Sequence, residues 1–343
     1  METYNNGTIG WFTVGSGKGA GYDNTTLGVS TLNANVAGYA NTAIGYAALN
    51  ANTDGIQNTA IGNQSLSSNT TGSDNTANGN QSLNSNTSGS NNTAVGFKTL
   101  FSNTSGYFNA AYGANAFTTN TSGYYNTAIG PVALFSNTTG YYNSAFGYSA
   151  LSANTSGYNN SAFGAQADVS AGALINTTVI GSGAIVTASN KVRIGNSSVT
   201  VIEGQVAFTS VSDARIKDNI KESVPGLAFI AELRPVTYTL NTQKQEAITM
   251  QAMPDSIKAK HRLLNDKNTS ANNIVRTGFI AQEVAAAAKK IGYDFDGVSI
   301  PQNETDLYGI SYAEFVVPLV KAVQEQQVII EKLLKRIEAL EKK

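Results

Sequence analysis

The chain has no cysteine, one histidine and one tryptophan in 343 residues. The absence of cysteine excludes a disulfide framework, a thiolate nucleophile and any cysteine-based zinc site. With His261 the only imidazole, a histidine cluster is excluded and a Ser-His-Asp triad has little to build on. Lys and Arg total 22 against 23 Asp and Glu, a near-neutral balance that argues against nucleic acid as a partner. No window approaches the ~18 apolar residues of a membrane span. Residues 1–10 carry neither the basic patch nor the apolar core of a secretory signal. No membrane insertion, metal or cofactor is expected. The charged fraction is 13 %, about half the ~25 % usual in globular chains.

That deficit is confined to one part of the chain. Residues 1–211 hold four basic and six acidic residues, while 212–343 hold eighteen and seventeen. The first part is rich in Asn, Thr, Ser, Gly and Ala, and it repeats. Glycines recur every 17 residues from Gly21 to Gly157, and a second series runs from Gly28 to Gly181. Asn24, Asn41, Asn58 and their successors to Asn160 hold one column, and Leu32, Leu49, Leu66 and their successors to Leu151 hold another. Register kept without insertions predicts a solenoid, one coil per repeat. Two glycines and many Asn, Thr and Ser per repeat disfavour helix. Thr-Ala-Ile-Gly reads as a short strand with Ile44, Ile61, Val95, Ile129 and Phe146 pointing inward, Ala-Leu as a second strand, and Asn-Thr-Ser-Gly as a turn. Nine coils at ~4.8 Å each give a rod on the order of 43 Å. So few large apolar residues per coil fill only a thin core, which points to an oligomeric shaft.

The repeat Asn-Thr-Ala-Ile-Gly, at 41–45, 58–62 and 126–130, resembles the head repeats of trimeric autotransporter adhesins and the shafts of phage tail fibres. This resemblance implies a trimeric parallel β-roll. The 17-residue period is longer than the unit usual in adhesin heads. The missing signal peptide and C-terminal barrel favour the phage reading, in which the partners are a host cell-surface receptor, a saccharide among the candidates, and a virion or tail attachment protein. Tyr107/Phe108, Tyr124/Tyr125, Tyr141/Tyr142 and Tyr158 form an aromatic stripe with two readings: packing between coils or subunits, or a saccharide-binding face.

Residues 190–211 read as a strand-rich junction, with Lys191–Asn196, Val199–Gly204 and Val206–Thr209 as the last strands of the shaft. Then comes Ser212-Asp-Ala-Arg-Ile-Lys217, followed by Leu233-Arg-Pro-Val-Thr-Tyr238, Gly278-Phe-Ile-Ala-Gln-Glu-Val284 and Tyr308-Gly-Ile-Ser-Tyr312. A Ser five residues before a Lys proves nothing alone, and Ser212 capping a helix with Asp213 in its first turn explains the local pattern equally well. In this order, however, the motifs resemble the C-terminal intramolecular chaperone domain of phage tailspikes and endosialidases, the peptidase S74 family. The resemblance implies a small α+β domain that trimerises, templates the preceding β-structure and then cuts itself off. It places the dyad on Ser212 and Lys217 and the cut at Val211–Ser212, the other side of Ser212 being the alternative; Asp213 and Arg215 would orient the segment. The family often has His just before Gly-Phe-Ile-Ala-Gln, where this chain has Arg276-Thr277. His261 itself reads as a solvated helix residue.

From 313 to 343 the chain reads as a long helix. Leu319, Val323, Gln326, Ile330, Leu333, Ile337 and Leu340 step by four and three, a heptad seam, and Pro318 limits the first turn. Val and Ile at one seam position with Leu at the other favour two strands, against the trimer implied by shaft and family. The expected organisation is an N-terminal segment 1–20 as a candidate attachment region, a 21–189 β-roll, a 190–211 junction and a 212–343 chaperone with autoprotease function. An uncleaved trimeric adhesin or virion protein, keeping the C-terminal domain as a clamp, is the alternative. An enzyme acting on polysaccharide has little support, because Asp23, Asp54, Asp74 and Asp168 make no convincing carboxylate pair.

Overall fold

The computed structural model describes residues 12–14, 23–264 and 271–342; an attachment role for segment 1–20 therefore lies mostly outside the described residues. The chain divides into two compact units, Met1–Ser198 with Lys244–Lys267 and Val199–Gln243 with Asn268–Lys343.

The first unit is built on a β-solenoid. Each coil contributes one three-residue strand, from Thr25–Leu27 and Thr42–Ile44 to Ser161–Phe163. Successive strands stack in parallel with equivalent residues paired, Thr42 on Thr59 and Thr127 on Ser144. Thr178–Ile180 and Val192–Ile194 extend the stack, and Phe12–Val14 closes its start antiparallel, giving a twelve-stranded sheet.

Two details of the expected coil are corrected. The Ala-Leu segment is not a strand in most coils, because Ala47 and Leu49 have φ of 53° and 50°, as do their equivalents such as Val132 and Leu134 at 55° and 50°. Left-handed residues turn the chain and cannot continue a strand. Among the described residues only Asp168–Val169 and Ile185–Val186, near the end, pair as strands there. The strand also faces the other way. The central alanines Ala43, Ala60, Ala111 and Ala128 are fully buried, whereas Ile61 and Ile129 are 37 % and 40 % exposed and Ile44, Val95 and Phe146 only half-buried.

The physical reason is width. The interior is already filled by the Ala and Leu columns and by two buried asparagine columns, which leaves room for a methyl group at the strand centre from Ala43 to Ala162; the late strand Thr178–Ile180 buries the larger Val179 there. Coils also approach closely at the second glycine series: Gly45 has φ +124°, and a Cβ there would lie 2.5 Å from the Gly62 carbonyl oxygen. Non-glycine residues in the left-handed region carry a backbone cost of roughly 1–3 kcal/mol each. Coil-to-coil hydrogen bonds repeated at the same positions, such as Leu49 N–H to Ser65 C=O at 3.1 Å, offset it.

The second unit holds helices α1 (Leu227–Ile230), α4 (Ala281–Lys290) and α5 (Val316–Glu341), while α2 (Thr242–Thr249) from Lys244 onward and α3 (Asp255–Leu264) belong with the solenoid. Val236–Tyr238 pairs antiparallel with Arg276–Gly278, and Val298–Ser299 with Gly309–Ile310. Phe229, Val284, Ala287, Ala288, Phe295 and Phe315 form the core. Pro318 sits in the first turn of α5, where its missing N–H removes no intrahelical bond. The heptad residues Leu319, Val323, Ile330, Leu333, Ile337 and Leu340 stand 44–63 % exposed in the single chain. Only Pro318 and Ala322 of this helix are buried.

Candidate functional site

Val199 to Val211 is exposed throughout and forms no strand, which corrects the expectation of two further strands there. The Val-Thr-Val-Ile run has strand propensity, but the sheet ends at Val192–Ile194, and among the described residues no strand pairs with the run.

Order returns at Asp213. Its carboxylate accepts the Arg215 N–H at 2.9 Å and caps the 3-10 turn Ala214–Ile216. The Arg215 guanidinium folds back on the same carboxylate, Nε at 3.0 and 3.1 Å and one Nη at 2.6 Å. Arg215 thereby holds the Asp213 carboxyl below its usual range, and Asp213 raises the guanidinium in return. Asp213, not Ser212, is the cap, which leaves the Ser212 hydroxyl free of that duty. The turn carries Lys217 round so that its Nζ donates to Ser212 Oγ at 2.7 Å. Both side chains are exposed in the single chain.

The downstream motifs meet one another as scaffold. Arg234 and Glu283 form an ion pair, Nε to Oε2 at 3.0 Å. Phe279 N–H donates to the Tyr312 hydroxyl at 3.1 Å, and a Cβ at Gly278 would crowd that same hydroxyl, so a larger residue there would have to displace the Tyr312 side chain. Partial burial, followed by the neighbouring Tyr312, pushes the Tyr238 phenol up. Residues far apart in sequence thus fix one strand pair and α4 against the start of α5.

On the solenoid, Tyr107, Tyr124, Tyr141 and Tyr158 stack face to face at 4.9, 4.9 and 4.7 Å, with interplanar angles of 2–4°. A second ladder, Phe108, Tyr125 and Tyr142, stacks at 4.9 and 5.1 Å and meets the first edge-on. These spacings match the ~4.8 Å separation of strands, so the rings pack between coils. Their faces are occupied by one another, and their edges and hydroxyls are what solvent meets. Desolvation within the stack, followed by the phenols of Tyr141 and Tyr142, pushes the Tyr124 phenol up.

Two features were not legible in the sequence. His261 lies on α3 as expected for a helix residue, but it is buried (1 % exposed) rather than solvated, with Nε2 3.6 Å from Asp168 Oδ2. The asparagine columns are buried hydrogen-bonded ladders, and their strict period was the available signal. Among the described residues no group of three His, Cys, Asp or Glu side chains is gathered to hold a metal ion, and no helix is long and apolar enough to cross a membrane. No curated protein matches the chain in sequence. Ser212, its Lys217 partner and two of the three downstream motifs all fall within residues 212–293, which match the model of the Peptidase S74 family, chaperone of endosialidase, so the β-solenoid is followed by a segment similar to that family.

Proposed function

We propose that the chain is the precursor of a trimeric phage-type tail fibre or tailspike. Its solenoid is the shaft for host attachment, and its C-terminal chaperone drives trimerisation and shaft folding before releasing its bond to the shaft at Ser212. The observation that carries this reading is the 2.7 Å contact between Lys217 Nζ and Ser212 Oγ inside the chaperone-family segment.

The chemistry follows from the residues. A lysine amine acts as a general base only in its neutral form, which desolvation favours. The single chain supplies the hydrogen bond but not the burial, so the partner subunits must supply it. This makes cleavage report on assembly. With Lys217 neutral, the Ser212 O–H donates to Nζ, and Oγ attacks the Val211 carbonyl carbon as the proton moves to the amine. That proton then passes to the Ser212 nitrogen as the Val211–Ser212 amide bond breaks, leaving an ester on Oγ. Water hydrolyses the ester to a Val211 carboxylate and restores the Ser212 hydroxyl. The Asp213–Arg215 pair holds the turn that sets this geometry. The denatured mass of freshly expressed chain tests the reading directly.

Assembly has its own test. The seam of α5, apolar except at Gln326, is unpaired in the single chain, and a threefold bundle buries it. Ile330→Asp with Ile337→Asp is expected to convert the trimer to monomer by light scattering and to stop cleavage. A trimer that survives both aspartates removes α5 from the interface. For attachment, the ladder edges suit a saccharide hydroxyl better than a sugar face, since the ring faces are taken. Tyr124→Ala with Tyr141→Ala is expected to abolish host adsorption while the trimer stays intact. Unchanged adsorption assigns the ladder to packing alone.

A further inference from the structure

The segment matched to the chaperone family runs from 212 to 293, yet its central portion folds with the solenoid. Met250, Met253 and Ile257, on and between α2 and α3, are 5 %, 3 % and 2 % exposed and lie in the same buried cluster as the alanine and leucine columns. Gln166 Nε2 donates to the Lys260 carbonyl at 2.7 Å, and Ser197 Oγ to Glu246 Oε1 at 2.7 Å. The Lys260 ammonium lies 5.3 Å from the centre of the Phe135 ring, within cation–π range. At the middle of this contact, buried His261 faces Asp168. That fully buried carboxylate is itself held by Ser152 Oγ at 2.9 Å and the Val169 N–H at 2.8 Å.

We propose that the α2–α3 hairpin is a clasp that keeps the 132-residue C-terminal fragment bound to the shaft after the chain is cut at Ser212. The proposal rests on the cleavage reading for its biological setting, but the contact exists independently of the cut. The residues on the shaft side of the scissile bond, 199–211, are exposed and without regular structure. Breaking the bond there removes none of the hairpin's contacts. The hairpin engages residues from several late coils and the segment just after the last strand (Phe135, Gln166, Asp168, Ser197). It therefore docks only on a shaft whose end has already folded, and cleavage and departure become separate events.

The test is native size-exclusion of the freshly cut wild-type protein, with denatured masses read on each fraction. The 211-residue and 132-residue fragments are expected to co-elute. In Met253→Asp with Ile257→Asp, the shorter fragment is expected to elute alone. A second chain combines Ser212→Ala with a site-specific protease sequence inserted after Gly204 and is cut only after folding. Co-elution of its fragments supports the clasp even if wild type never cuts itself, in which case the cleavage reading alone fails. Separation of the fragments in either cut protein overturns the clasp, as does co-elution that persists when both aspartates are present.

Discussion

Ser212→Ala and Lys217→Ala chains are expected to run whole at 343 residues under denaturing conditions, while wild type resolves into fragments of 211 and 132 residues. Removing a nucleophile or its base from a comparable serine hydrolase costs on the order of 10⁴-fold or more in rate. For a reaction that each chain performs once, that loss is all or nothing on the time scale of expression. Lys217→Arg sharpens the result. A guanidinium can donate to Ser212 Oγ much as the ammonium does at 2.7 Å, but it does not deprotonate and cannot take the hydroxyl proton. If Lys217 only tethers the turn, the arginine chain cuts; if it is the base, the arginine chain stays whole. The N-terminal residue of the smaller wild-type fragment fixes the bond, Ser212 for cleavage at Val211–Ser212 and Asp213 for cleavage on the other side. Wild type that stays whole as a folded trimer makes the C-terminal domain a retained clamp and removes the catalytic assignment.

The repeat was legible because period is a property of sequence, and a column of leucines at 49, 66 and 83 marks the inside of any solenoid that keeps it. Those leucines are fully buried. The alternation Thr-Ala-Ile says only that Ala and Ile lie on opposite sides of a strand. Choosing the larger one as core assumes a core with room for it, and a coil this narrow has none, so Ala128 is inside and Ile129 outside. The second strand failed for a related reason. Leucine has no intrinsic preference for φ near 50°, and only the ladder of coil-to-coil bonds holds Leu49 there. The burial of His261 is not legible in the sequence, because the face it occupies on α3 becomes buried only against the solenoid, through a contact between residues 168 and 261 that no local pattern announces. The Ser212–Lys217 pairing was legible only through the motifs around it; the structure adds that Asp213, capping the turn, is what brings the two together.

Asn126→Ala, made in the uncleaved Ser212→Ala background, is expected to destabilise the solenoid by roughly 2–4 kcal/mol and to split its unfolding into two transitions. Asn126 is 1 % exposed and its amide spans three coils. Nδ2 donates to Asn109 Oδ1 at 3.1 Å and to the Gly140 carbonyl at 2.8 Å, and Oδ1 accepts from Asn143 N–H and Nδ2, both at 3.0 Å. Truncation leaves some of these groups with other partners: the Gly140 carbonyl keeps Asn137 Nδ2, and Asn143 Nδ2 keeps the Gly157 carbonyl. The Asn143 N–H keeps none of its acceptor, and an orphaned buried donor costs about 1–3 kcal/mol. The space left by the amide accounts for the rest. The location matters as much as the size. Each coil touches only its neighbours, so stability is a sum of coil and interface terms, and one weakened interface lets the coils on either side melt separately. Hydrogen exchange should show the Asn143 amide losing protection first, with coils further away unchanged. Asn126→Asp is expected to be worse than alanine, since it replaces the Nδ2 donor by a buried carboxylate oxygen that faces two acceptors, the Gly140 carbonyl and Asn109 Oδ1. A single unchanged transition in Asn126→Ala means that the alanine and leucine columns hold the coils alone, and that the asparagine period sets register without contributing stability.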